Sequence, residues 1–78
     1  MKQPVILFTA PKCSWCSEAK RYLKSKNIFY KTVDVSTNKK ALQDCQKNGC
    51  RGVPVFLVGN TWICGFDKNK INKTLGIK

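Results

Sequence analysis

The sequence predicts one small α/β domain spanning residues 1–78, with a four-stranded mixed sheet flanked by three helices in the order β-α-β-α-β-β-α. Three observations support this fold class. A chain of 78 residues has the size of one domain. Short apolar runs alternate with segments whose apolar residues recur at helical spacing. The last two predicted strands are joined by a two-residue turn, so a hairpin follows a parallel β-α-β unit.

The first half of the chain predicts a strand, a helix and a second strand. Residues 4–9 form an apolar, β-prone run that is typical of a buried strand. A helix is expected over residues 14–26, where Trp15, Ala19, Tyr22 and Leu23 recur at helical spacing, and Asn27 is expected to end it. Residues 29–35 predict the second strand, with the odd-numbered side chains on one face and the even-numbered ones on the other.

A second helix is expected over residues 38–48. Ser36, Thr37 and Asn38 offer oxygen atoms for its N-cap, and Asn48-Gly49 provides a left-handed stop. This helix is expected to turn Ala41, Leu42 and Cys45 inward.

The last third of the chain predicts a hairpin and a short helix. Residues 53–58 are the most apolar strand, and Gly59-Asn60 forms a two-residue turn into residues 61–64. Asp67 can cap a final helix that carries Ile71 and Leu75 and ends near Gly76.

Composition excludes several function classes. The chain has no histidine, which excludes Ser-His-Asp hydrolysis, a Cys-His protease and any zinc site with a histidine ligand. Fifteen Lys and Arg against four Asp and Glu give a net charge of +11. The lysines are spread over every element and no nucleic-acid motif accompanies them, so we expect a solvated basic surface and no nucleic-acid partner. Such a field would steer negatively charged partners toward the protein.

Cysteine usage indicates the compartment. Five cysteines cannot all pair within one chain. The longest N-terminal aliphatic run, Val5-Ile6-Leu7-Phe8, is too short for a signal peptide or a membrane span. We therefore expect a cytoplasmic monomer with no membrane partner, in a reducing compartment where closely spaced cysteines are usually catalytic or metal-binding.

The motif Cys13-Ser14-Trp15-Cys16 lies where the first strand leads into the first helix. A helix N-terminus presents unpaired N–H groups and partial positive charge, and Lys12 adds a full charge, so both favour the Cys13 thiolate that attacks disulfides. Cys16 returns to the same helical face, close enough to close a Cys13–Cys16 redox-active disulfide, and Trp15 offers a flat apolar wall to a substrate. The alternatives are an inert pair or half of a zinc site.

A zinc site is disfavoured by the other cysteines, Cys45, Cys50 and Cys64, because they form no second CxxC motif. We expect Cys45 to be buried as a small hydrophobe, and Cys50 and Cys64 to be sites of oxidation or glutathionylation. Four aromatic residues are expected in the core rather than in a binding site: Phe8, Phe29, Phe56 and Trp62.

Three blocks together resemble the glutaredoxins of the thioredoxin superfamily, in particular the short glutaredoxin-like branch that grades into the NrdH-type redoxins. They are Pro11-Lys12-Cys13-Ser14-Trp15-Cys16, Gly52-Val53-Pro54 and Cys64-Gly65-Phe66-Asp67-Lys68. The resemblance covers essentially the whole chain and implies a minimal thioredoxin fold. It also implies a cis Val53–Pro54 bond, with the Val53 backbone beside Cys13 and free to pair with a substrate peptide.

The resemblance further implies a binding site for glutathione. Asp67, with the adjacent Gly65 and Phe66, would hold the γ-glutamyl end, while Lys12 would contact the glycyl carboxylate and Arg51 would be a second cation. Two departures from the family pattern weaken this expectation. Cys64 replaces the first glycine of the third block, and Ala41 stands where glutathione-using members often have Gln or Arg.

The sequence thus predicts a thiol-disulfide oxidoreductase that reduces protein disulfides and glutathione mixed disulfides. Glutathione would be a co-substrate, with no tightly bound cofactor and no metal. One alternative is a glutathione-independent NrdH-type donor to ribonucleotide reductase, recharged by thioredoxin reductase. Another is an iron–sulfur carrier, because family members with Ser at the position of Ser14 can hold a cluster between two subunits.

Overall fold

A computed structural model describes residues 4–76 and confirms the β-α-β-α-β-β-α order. The elements are β1 (Val5–Thr9), α1 (Ser14–Ser25), β2 (Lys31–Asp34), α2 (Lys39–Lys47), β3 (Val55–Val58), β4 (Thr61–Cys64) and α3 (Lys68–Leu75). The strands form one sheet in the order β2-β1-β3-β4. Strand β1 pairs parallel with β2 and antiparallel with β3, and β3 pairs antiparallel with β4, so the sheet is mixed as predicted.

Both faces of the sheet are covered, because alternate residues of each strand point to opposite sides. On one face, buried residues of α1 and α3 pack with the sheet: Val5, Leu7, Ala19, Leu23, Phe56, Val58, Ile63 and Ile71. On the other face, residues of α2 and the following loop pack with Phe8, Val35 and Val55: Ala41, Cys45 and Cys50. The active motif therefore follows a central strand that is held from both sides.

Several predicted elements are longer than the observed ones. Helix α1 ends at Ser25, with Lys26 as its C-cap. Asn27 follows in the left-handed region with a φ of 57°, which ends the helical path of the backbone. Strand β3 begins at Val55 because Pro54, which precedes it, has no N–H for the ladder. Strand β2 covers only the four residues that pair with β1.

Two side chains expected in the core are outside it. Phe29 is 90% exposed, because it lies before β2 and outside the residues that pair with β1. Leu42 is also exposed, on the outer side of α2. The other aromatic predictions are confirmed, since Phe8 and Phe56 are buried and Trp62 is half-buried and stacked on Phe8 at 5.4 Å.

The predicted helix caps are present. The Asn38 side chain accepts a hydrogen bond from the Ala41 N–H at 3.0 Å, and the Asp67 side chain accepts one from the Lys70 N–H at 3.1 Å. Gly76 ends α3 in the left-handed region with a φ of 71°. Each capping side chain satisfies one of the N–H groups that a helix start leaves unpaired. Within residues 4–76 no helix has the length and apolar character that crossing a membrane requires.

Two phenylalanines that the sequence treats alike should differ in their effect on stability. Phe56 is fully buried and Phe29 is 90% exposed. Phe56→Ala should lower the free energy of unfolding by about 3–5 kcal/mol, because it removes packing and leaves a cavity. Phe29→Ala should change it by less than about 0.5 kcal/mol. Urea titrations followed by circular dichroism measure both values, and equal losses would contradict the observed burial.

Candidate active site

Cys13 is the N-cap residue of α1, with extended backbone angles of φ −102° and ψ 104°. Its Sγ accepts a hydrogen bond from the Cys16 backbone N–H at 3.1 Å, in the place where a serine or aspartate oxygen usually caps a helix. The first turn of α1 carries no acidic side chain that would oppose a negative sulfur. Cys13 is half-buried, and one backbone donor, the Cys16 N–H, holds its sulfur at the start of the helix.

Cys16 lies one turn further along α1 and is only 3% exposed. Burial raises the pKa of its thiol to about 11, helped by its hydrogen bond and charge interaction with Cys13 and opposed by the backbone of Ala10 and the Lys20 ammonium. At neutral pH Cys16 is therefore a protonated, shielded thiol. The two sulfurs of the motif thus have different environments although they are three residues apart.

The peptide bond between Val53 and Pro54 is cis, as the family resemblance implies. The Val53 carbonyl lies next to the motif, where it accepts a hydrogen bond from the Cys13 thiol at an Sγ–O distance of 3.8 Å. The Pro54 carbonyl in turn accepts a 2.9 Å hydrogen bond from the Gly65 N–H. The three predicted blocks are therefore adjacent: the first touches the second, and the second is bonded to the third.

An open groove of about 1040 Å³ runs along the start of α1 and α3. Its lining residues are Trp15, Glu18, Cys64, Phe66, Asp67, Lys68 and Asn69. Trp15 is 62% exposed and its ring centroid lies 6.2 Å from that of Phe66. The groove thus brings together Trp15, Phe66 and Asp67, three residues that the sequence predicts to bind substrate or glutathione. It has an aromatic floor and charges of both signs.

A second depression of about 490 Å³ surrounds the motif itself. Lys12, Cys13, Cys16 and Lys20 are among the residues that line it. Lys12 is exposed and has a φ of 62°, which turns the chain into α1. Sequence analysis missed Lys20 as a site residue, although its position four residues after Cys16, on the same helix face, was an available signal. Arg51 is exposed in the loop after Cys50.

Cys50 and Cys64, which the sequence predicts as sites of oxidation without naming them as partners, form a disulfide with each other with an S–S distance of 2.04 Å. Cys64 pairs across the hairpin with Val55, so both side chains lie toward the α2 face, where Cys50 is buried. Cys13, Cys16 and Cys45 are free. Cys45 is buried as expected, and burial raises the pKa of its thiol.

A thioredoxin-like fold with a free cysteine pair at a strand–helix junction defines a class of redox proteins, the thiol-disulfide oxidoreductases. The glutaredoxin family model matches residues 5–63. The chain belongs to the glutaredoxin family and is a thiol-disulfide oxidoreductase.

Two relatives and one solved structure illustrate the similarity. The glutaredoxin-like 8.6 kDa protein in the rubredoxin operon of Clostridium pasteurianum is 36% identical over 70 residues, covering 88% of this chain and 93% of that protein. The N-acetyl-S-hydroxy-L-cysteine reductase of Bacillus subtilis is 36% identical over 56 residues, covering 70% of this chain and 60% of that protein. The glutaredoxin-like NrdH-redoxin of Escherichia coli superposes with a TM-score of 0.83 at 23% identity, covering 90% and 92% of the two chains, and shares the fold.

The two motif cysteines should differ in reactivity toward iodoacetamide. Raising the pKa of Cys16 from 9.0 to about 11 lowers its thiolate fraction at pH 7 about 100-fold, at tenfold per pH unit, and burial further hinders access. Cys13 should therefore be alkylated first, and the rate at Cys16 should keep rising toward pH 11. Peptide mass spectrometry at early times, with buried Cys45 as an internal reference, measures both rates. Equal rates at pH 7 would contradict the assigned environments.

Proposed function

We propose that Cys13 is the nucleophile of a dithiol exchange reaction with disulfide-containing proteins. The Cys13 thiolate attacks one sulfur of the substrate disulfide, forms a mixed disulfide and releases the other sulfur as a thiolate, which takes up a proton. Cys16 then loses its proton and attacks Cys13 Sγ, which closes the Cys13–Cys16 disulfide and releases the second substrate thiol. Two electrons pass from the cysteine pair to the substrate. The observation that carries this proposal is the position of Cys13 Sγ at the N-cap of α1, where it accepts a hydrogen bond from the Cys16 N–H.

The environment of Cys16 suits the second step. Two of the effects that raise its pKa, the hydrogen bond and the charge interaction, come from Cys13. Both depend on a free Cys13 sulfur, and that sulfur is bonded covalently in the mixed disulfide. Burial, the largest cause of the raised Cys16 pKa, remains, but the two contributions from Cys13 are lost and the Lys20 ammonium continues to lower it. The thiolate of Cys16 is therefore more accessible in the mixed disulfide than in the free protein.

Substrate peptides would align along the Val53 backbone, in the manner of an added strand, with Pro54 fixing its direction and Trp15 covering the bound disulfide. The adjacency of the Val53 carbonyl and Cys13 Sγ supports this arrangement. Lys12, next to Cys13, adds positive charge that favours the attacking thiolate. The protein would act in the cytoplasm as a monomer. It would need no metal and no tightly bound cofactor, because the sulfurs themselves carry the electrons.

Glutathione would be the co-substrate that reduces the oxidised pair. Its γ-glutamyl end would lie at the start of α3 against Gly65, Phe66 and Asp67, and Lys12 and Arg51 would attract its carboxylates. The groove that joins Trp15, Phe66 and Asp67 supports this assignment. The net charge of +11 also favours encounter with a negatively charged thiol.

A second electron source, thioredoxin reductase with ribonucleotide reductase as the client, is favoured by one observation. Ala41, at the α2 position where glutathione-using relatives often have Gln or Arg, is buried, and its methyl side chain has no polar atom to offer a ligand. Turnover with glutathione and glutathione reductase, compared with turnover with thioredoxin reductase, decides between the two sources. Rates in the second system alone would overturn the glutathione assignment.

Single cysteine variants should separate the two exchange steps. Cys13→Ser should abolish every thiol-disulfide activity because the nucleophile is lost. Cys16→Ser should keep the reduction of glutathione mixed disulfides, which a second glutathione molecule can complete, and lose the reduction of protein disulfides. Assays with a glutathionylated peptide and with insulin measure the two activities. If Cys16→Ser loses both equally, the assigned division of roles is wrong.

Asp67→Ala should weaken glutathione turnover mainly through KM. The expected loss is about 1.5–3 kcal/mol, the range for a hydrogen bond involving a charged group. The same change removes the cap of α3, at a cost of about 1 kcal/mol of stability.

Asn38→Ala is a matched control, because it removes the equivalent cap of α2, which lies on the opposite face of the sheet from α3. Both variants should lose similar thermal stability, and only Asp67→Ala should raise KM. An unchanged KM in Asp67→Ala would leave Asp67 with a capping role alone.

A further inference from the structure

The Cys50–Cys64 disulfide has two unlike ends. Cys50 is 2% exposed and packs with the cluster beneath α2. Cys64 is exposed at the end of β4 and lines the same groove as Trp15, Phe66 and Asp67. A thiol in solution therefore has access to Cys64, whereas Cys50 is shielded.

The same disulfide connects the two backbone segments that border the motif. Cys50 lies three residues before Val53, whose carbonyl accepts a hydrogen bond from the Cys13 thiol. Cys64 precedes Gly65, whose N–H donates to the Pro54 carbonyl at 2.9 Å. Because it joins these segments beside the groove, any exchange at Cys64 occurs within the wall of the site and leaves Cys13 and Cys16 chemically unchanged.

We propose that Cys50–Cys64 is a second exchangeable disulfide, and that Cys64 is the sulfur at which small thiols of the glutathione class form a mixed disulfide. A thiolate attacks Cys64 Sγ, the Cys50–Cys64 bond breaks, and Cys50 leaves as a thiolate that takes up a proton from water. A second thiol then attacks the mixed disulfide, giving a small-molecule disulfide and the free Cys64 thiol. Two small thiols are oxidised and the protein disulfide gains two electrons.

The direction of attack follows from access. Thiol-disulfide exchange requires the nucleophile to approach along the S–S bond from the side of the attacked sulfur, so a sulfur that is open to solvent reacts before a buried one. The remaining free cysteine on that face, Cys45, is buried, and burial raises the pKa of its thiol, so it stays protonated and does not compete. The exchange at Cys64 does not depend on the proposed roles of Cys13 and Cys16.

The experiment uses a Cys13→Ser/Cys16→Ser chain, in which the motif cannot exchange. The protein is first equilibrated with oxidised glutathione, then incubated with increasing ratios of reduced to oxidised glutathione, quenched by alkylation and mapped by peptide mass spectrometry. The first alkylating reagent acts on the folded chain, and a second, isotopically different reagent is added after denaturation. The expected intermediate carries one glutathione on Cys64 and a Cys50 thiol that only the second reagent labels, followed by a form in which the first reagent labels Cys64. Cys45 should stay unlabelled by the first reagent throughout, which reports that the fold is intact.

Two further changes in this background test the asymmetry directly. Adding Cys50→Ser leaves exposed Cys64 alone, which should take up one glutathione from oxidised glutathione. Adding Cys64→Ser leaves buried Cys50 alone, which should take up none while the chain remains folded by circular dichroism.

Three results would overturn the proposal. These are glutathione found on Cys50 instead of Cys64, a disulfide that resists reduction until the first reagent also labels Cys45, and a failure of the pair to oxidise in oxidised glutathione. The Cys13→Ser and Cys16→Ser activity assays test the proposed function separately, so failure of one does not imply failure of the other.

Discussion

The hydrogen bond from the Cys16 N–H to Cys13 Sγ connects the fold to the chemistry of the site. This hydrogen bond forms because Cys13 occupies the N-cap position of α1, between β1 and the helix. At this position a side-chain oxygen usually accepts the hydrogen bond, and here the acceptor is a sulfur. The helix presents unpaired N–H donors and partial positive charge at that point, and the Cys13 sulfur accepts one of these donors. The same geometry places Cys16 one turn inward, where burial raises its pKa to about 11. One helix start therefore creates two thiols in different environments.

Precise placement of this helix start requires a rigid support. Strand β1 lies between β2 and β3, and its side chains pack on both faces of the sheet. The antiparallel pairing of β1 with β3 also brings the cis Val53–Pro54 segment to the end of the sheet where the motif lies. Contacts from Cys13 to Val53, and from Pro54 to Gly65, then extend this support to the groove.

The chain carries two cysteine pairs with contrasting environments. Cys13 and Cys16 are neighbours in sequence, on one helix turn, and the structure holds both as free thiols. Cys50 and Cys64 are separated by 14 residues and are joined in a disulfide. Both pairs combine a more accessible sulfur with a buried one. The more accessible sulfur is Cys13 in one pair and Cys64 in the other, and these are the sulfurs at which we propose that exchange begins.

The sequence by itself determined the element order, the helix caps and the CxxC motif at a strand–helix junction, because hydrophobic period, capping residues and motif spacing are local signals. The family resemblance extended these signals to the cis peptide bond at Val53–Pro54. Tertiary structure decided what depends on contacts between distant segments. The residues around Phe29 alternate as in a strand, yet Phe29 is exposed because β2 begins only after it. The Cys50–Cys64 disulfide required the register of the β3–β4 hairpin, and the burial of Cys16 required α1 to pack against the sheet. Pairing partners and burial are set by the whole fold, so no local pattern in the sequence specifies them.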